Sequence, residues 1–162
     1  MSVPPVKPST TSEPENVKDA NKLFVLAFDP GTTTGWASFL KPNDRDGYKS
    51  GQIEDGCIPV WQFLDTMNAL DPEFIPDVIV CESFQYRPKL DKAVLSPVEV
   101  IGVIKLWCHN NKVKLKFQTP GQRMWWDDNK LKRMQVYKPN KPHANDAMRH
   151  LLTYLNVLPP KT

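Results

Sequence analysis

No apolar run in this 162-residue chain reaches the roughly 18 residues that a membrane span requires. The N-terminus lacks a basic segment followed by an apolar core, so neither a membrane-embedded nor a secreted protein is expected. Cysteine is scarce. Cys57, Cys81 and Cys108 are isolated, odd in number and without metal-ligand spacing, which excludes a disulfide framework and a zinc module. Buried free thiols in a reducing, cytoplasmic setting are the expectation. There is no internal repeat, and the length excludes two large lobes, which leaves one domain with a substantial core. A hydrophobic content of 40% is enough to build that core.

The net charge of +3 conceals an uneven distribution. Residues 84 to 142 hold 13 Lys or Arg against 4 Asp or Glu, whereas the rest of the chain holds 8 against 14. A basic half of this kind attracts phosphate backbones, although a solvated positive face has the same composition.

Residues 1 to 21 are rich in Pro, Ser, Thr and charge and nearly empty of large apolar side chains. Burial there cannot offset the entropy of ordering, so a disordered tail is expected before a domain spanning residues 22 to 162. LFVLAF, residues 23 to 28, is a continuous apolar run of strand length, as in a strand covered on both faces. The turn PGTTT joins it to a second strand at about 35 to 40, forming a hairpin. A third strand is expected at 48 to 53, a helix at 58 to 70 and a further apolar strand at 77 to 81. PVEVIGVIKLWCHN, residues 97 to 110, carries an apolar helical stripe. VKLKFQ, residues 113 to 118, alternates and belongs near a sheet edge. A short helix is expected at 121 to 134 and a last one at 143 to 155, with Ala147, Leu151, Leu152 and Leu155 facing inward. The fold class is therefore α/β, with a mixed sheet flanked by helices.

Four residues able to ligate a metal stand in three short motifs: Asp29 in FDPGTTTGWA, Glu82 in DVIVCES, and His143 with Asp146 in KPHANDAMRHLL. Apolar strands that end abruptly in a carboxylate need something to offset a buried charge, and metal coordination is a usual answer. An Asp capping its own turn is the competing account of Asp29. His143 and Asp146 lie three apart and share one helical face; an ordinary helix N-cap is the alternative for that pair. Hard oxygen ligands suit Mg²⁺ or Mn²⁺, and two such ions about 4 Å apart can cut a phosphodiester. Asn145 could cap the helix or touch phosphate. His150 reads as a solvent-exposed or core-edge residue.

These motifs, in this order and on this pattern of elements, resemble the RuvC-like Holliday-junction resolvases of the RNase H-like superfamily across residues 22 to 158. The resemblance implies an RNase H-like five-stranded mixed sheet and a two-metal site at Asp29, Glu82, His143 and Asp146. It also implies Mg²⁺ as cofactor with Mn²⁺ able to substitute, a homodimer, and paired nicks in four-way DNA junctions in a bacterial or phage-infected cell. Some members carry Asp at the position of His143. In FQYRPKLDK, Arg87, Lys89 and Lys92 are expected on phosphates, with Phe84 or Tyr86 stacking on a base or Phe84 simply in the core. Arg123, Lys130, Lys132 and Arg133 form a second expected phosphate-binding surface, while Trp125 and Trp126 are expected to pack in the core or at the dimer contact. FDPGTTTG is also similar to the phosphate loop of actin-like and sugar-kinase ATPases, but those need a second lobe that does not fit here. A nuclease for flaps and forks, and a non-catalytic nucleic-acid-binding module of the same fold, stay open.

Overall fold

The computed structural model describes residues 22–41, 47–54, 64–65, 67–69, 75–85 and 96–155. The apolar run after Lys22 forms β1, Leu23–Asp29. Alternate side chains of an extended strand point to opposite faces, and both faces of β1 are covered. Val25 and Ala27 join one core, while Leu26 and Phe28 join another. The PGTT turn is closed by Thr34, whose Oγ1 donates to the Gly31 carbonyl at 3.2 Å. It returns the chain into β2, Thr33–Lys41, which pairs antiparallel with β1, and β3, Tyr48–Glu54, continues the meander.

β4, Val78–Glu82, lies parallel beside β1. α1, Ser96–Asn110, leads to β5, Lys114–Gln118, parallel to β4 at the end of the order β3-β2-β1-β4-β5. The alternating sequence of β5 thus marks an edge strand of the described sheet, as expected. The helix expected at 121 to 134 is two pieces: a 3-10 turn, Pro120–Trp125, and α2, Asp128–Arg133. The break falls where Asp127 caps α2 by accepting from the Lys130 N–H at 2.8 Å, a capping signal that competes with helix continuation. Trp126 is buried in that break. α3, Pro142–Leu155, lays Ala144, Ala147, Met148, Leu151 and Leu152 inward.

The result is a five-stranded mixed sheet with α3 packed on one face and α1 on the other. Cys81 and Cys108 are buried free thiols, and burial raises both well above the usual thiol range. No described helix is long and apolar enough to cross a membrane. Residues 1 to 21, Cys57 and most of the helix expected at 58 to 70 lie outside the described residues. Residues 64–65 and 67–68 are helical there, and Met67 enters the core beneath α1.

One glycine sets how closely α3 approaches the sheet. Gly35 is the register partner of Asp29, and a Cβ built at Gly35 would stand 1.9 Å from the His143 carbonyl oxygen. Backbone atoms cannot yield as a flexible side chain can. Gly35→Ala is therefore expected to lower stability by about 1–3 kcal/mol or more and to lift the first turn of α3 away from Asp29. Denaturant unfolding and the amide shifts of residues 142–146 measure the two effects.

Candidate active site

β1 and β4 run parallel and adjacent, so their C-terminal ends bring Asp29 and Glu82 to the same rim of the sheet. The close approach at Gly35 adds the first turn of α3. His143 Nδ1 stands 2.9 Å from Asp29 Oδ2, and Asp146, one turn along, faces the same space. Arg123, from the 3-10 turn, fills the middle. Its Nη1 lies 2.5 Å from Asp146 Oδ2, 3.2 Å from Glu82 Oε2 and 3.9 Å from Asp29 Oδ1. All four residues singled out as ligands therefore meet in one place, drawn from segments more than 110 residues apart in sequence.

Asp29 is the most enclosed of the three carboxylates, 6% exposed. Burial pushes its carboxyl above the usual range, the His143 hydrogen bond works against that, and the Glu82 and Asp146 carboxylates add to the rise while Arg123 opposes it. The centre thus concentrates negative charge in a place that water screens poorly.

Two neighbours hold acidic residues in place and a third clasps the loop into α3, and sequence reading missed each role. His150 is fully buried rather than at an edge. Its Nε2 lies 2.6 Å from Glu82 Oε2 and its Nδ1 2.7 Å from Gln118 Oε1. With Nε2 donating to Glu82, a neutral ring accepts at Nδ1, which is met when the Gln118 amide is turned to present its NH2 group. Gln118 is the register partner of Glu82 across β4 and β5, which places both under one imidazole. Asn145 is buried and does not face the rim. Its Oδ1 accepts from the Lys138 N–H at 2.8 Å and its Nδ2 donates to the Lys138 carbonyl at 2.9 Å, clasping the loop that leads into α3. Arg149 bonds Asp146 and Asp128, and its Nε donates to the Trp126 carbonyl at 2.7 Å. The signal for His150 was its position four residues after Asp146, on nearly the same helical face.

The expected DNA contacts divide. Tyr86, Arg87, Lys89 and Lys92 lie outside the described residues. Phe84 is exposed, outside both cores, and lines a cleft of about 290 Å³ with Glu82, Pro97, Ile101, Pro120 and Arg123. Arg123 turns to the carboxylates rather than outward. Lys130 and Lys132 lie over the rings of Trp125 and Tyr137, each at 4.8 Å from the centroid, and Arg133 is exposed at the end of α2. Trp126 packs in the core as expected, but Trp125 is 65% exposed: Trp126 takes the inward position at the break, and its neighbour points out.

No protein-family model and no curated protein sequence matches this chain. Solved structures do. RuvC of Thermus thermophilus in complex with a Holliday junction substrate superposes with a TM-score of 0.60 at 14% identity, over 82% of this chain and 92% of that one. A second Thermus thermophilus RuvC structure gives 0.58 at 14% identity, over 82% and 93%. The fowlpox virus Holliday junction resolvase gives 0.51 at 14% identity, over 84% and 100%. The chain has the fold of these proteins.

Proposed function

We propose that this chain is a metal-dependent endonuclease that cuts branched DNA, four-way junctions foremost. The observation that carries this reading is the convergence of Asp29, Glu82 and Asp146 on a single guanidinium nitrogen, within 2.5–3.9 Å, at the C-terminal ends of two parallel strands. Carboxylates gathered this way form a cation site by their chemistry, and the neighbouring imidazole of His143 completes a donor set suited to Mg²⁺ or Mn²⁺. As the side chains stand, no group of three or more His, Cys, Asp or Glu among the described residues is close enough to hold one ion. The reason is steric: Arg123 occupies the space the carboxylates share. With Arg123 withdrawn, that space would be open to a cation held by Asp29, Glu82 and Asp146.

Asp29, Glu82, His143 and Asp146 would hold the metal, with Asp29 central because it touches His143 and faces both other carboxylates. The ions would supply an activated water and neutralise charge on the leaving oxygen. The protein's part is to hold these donors in place before DNA arrives. His150 fixes the Glu82 carboxylate, Arg149 fixes Asp146, and Gly35 admits the α3 backbone. Arg123, displaced from the carboxylates, stays near enough to bind the phosphate being cut. Likeness in fold to proteins solved as Holliday junction resolvases supports the four-way junction as substrate, and paired nicking implies a homodimer with two such centres.

A gel assay with a four-way junction, a fork, a flap and plain duplex tests the substrate. Paired symmetric nicks in the junction alone are expected. Equal cutting of forks and flaps would replace the reading with a broader branched-DNA nuclease, and cutting of nothing would replace it with a binding module.

A further inference from the structure

A single exposed aromatic is ordinary on a protein surface. Trp125 is not an ordinary case, for three reasons. Met124 and Trp125 are the most exposed large apolar side chains among the described residues, at 80% and 65%. They sit in a turn that is fixed on both sides. Gln122 and Thr119 close its start through a capping box, and Trp126 anchors its end in the core, its N–H donating to the Arg123 carbonyl at 3.0 Å. The ring itself is also held: Lys130 Nζ donates to the Trp125 carbonyl at 2.6 Å and lies 4.8 Å from the ring centroid.

The indole therefore has an ammonium over its ring and most of its side chain exposed, two residues from the arginine that reaches into the carboxylate centre. The nearby acidic groups are committed. Asp127 caps α2, and Asp128 pairs with Arg149. The cation at the ring is Lys130, and the short helix that carries it adds Lys132, over Tyr137, and the exposed Arg133. A flat apolar face in a positive setting suits an unpaired nucleobase, whose π face stacks while its phosphates meet the lysines. The core of a protein–protein interface is depleted in Lys, so an ammonium stacked on the ring disfavours a protein partner.

We infer that Trp125 is a base-stacking platform that receives an unpaired base next to the phosphodiester to be cut. The inference rests on the DNA-cutting reading above and adds a recognition element on the 3-10 turn that also carries Arg123. A base made available at a branch point would stack there, whereas fully paired duplex offers none. Trp125 would thereby favour branched over linear DNA without reading sequence.

The test measures binding by fluorescence anisotropy in an Asp29→Asn background, to a four-way junction carrying 2-aminopurine at the branch and to a duplex of equal length. Trp125→Ala is expected to weaken junction binding about 10-fold, within the range of a single base–aromatic stack, with duplex binding and the salt slope unchanged. Trp125→Phe is expected to restore most of the loss and the quenching of 2-aminopurine. The exposure of the side chain keeps the core out of the experiment, and an unchanged melting temperature checks this. Junction affinity equal to wild type in Trp125→Ala would overturn the stacking role alone, as would an equal loss on junction and duplex. Failure of the Asp29→Asn protein with Trp125 intact to bind the junction would overturn the DNA reading and this inference together.

Discussion

Asp29→Asn is expected to lose metal-dependent cleavage by about 10²–10³-fold or more, the scale on which removing one preorganised group at a reacting centre is felt, and at the same time to become more stable. Both effects have one cause. Asp29 is buried beside two other carboxylates, and its carboxyl is raised above the usual range chiefly by desolvation. Between the ordinary carboxylate range and that raised value, the folded state binds more protons than the unfolded state. Stability therefore falls as pH rises through this window and stays lower above it. Asn removes the charge and the penalty. The variant should melt above wild type near pH 7, and the gap should close as the pH falls below the ordinary carboxylate range. Millimolar Mn²⁺ should raise the melting temperature of wild type and not of the variant, since a ligand stabilises only the state that binds it. A site that trades stability for a concentrated negative charge is the pattern expected of function rather than of structure.

The second large effect belongs to His150. Replacing it with Ala leaves Glu82 without the hydrogen bond that fixes Oε2 and leaves a buried Gln118 side chain facing a cavity. Partners that orient a metal-binding side chain typically carry about 10–100-fold in metal affinity or activity. His150→Ala should show a loss of that size in cleavage at limiting Mn²⁺, partly recovered at saturating Mn²⁺, with affinity for the junction unchanged. His150→Gln, which can still donate to Glu82, should recover part of the loss. If both variants bind Mn²⁺ as wild type does in a titration, His150 is only filling the core. Unfolding measurements on both variants separate that possibility, because a purely structural role would lower stability without changing metal affinity in the folded protein.

The strands that carry Asp29 and Glu82 were legible because a strand covered on both faces must be apolar throughout, and LFVLAF and VIVC are. The carboxylates that end those runs stand out for the same reason. The helix pair was legible because three-residue spacing on an amphipathic helix fixes a shared face whatever that helix packs against. What decides the rest is depth and partner, and spacing along one element carries neither. His150 lies near the face of Asp146, but whether it meets water or Glu82 depends on β5 placing Gln118 opposite Glu82, a contact across 32 residues. Arg123 belongs to a basic stretch, and a count of charges does not distinguish a cation facing phosphate from one facing three carboxylates. Trp125 and Trp126 are identical in type and adjacent, so only the backbone break between the 3-10 turn and α2 decides which turns inward. That break was readable: Asp127 stands where a helix N-cap would stand, three residues before the amide it accepts from.

The measurement that bears most directly on the acidic centre is a time course of cleavage of an end-labelled four-way junction, with Mg²⁺ or Mn²⁺ titrated from zero in a chelated background, for wild type and Asp29→Asn side by side. Paired nicks that appear only with metal in wild type and vanish in Asp29→Asn are the expected result. Cleavage that persists in chelator, or that Asp29→Asn performs at the wild-type rate, would contradict the assignment of Asp29, Glu82, His143 and Asp146 as the metal-dependent cutting centre.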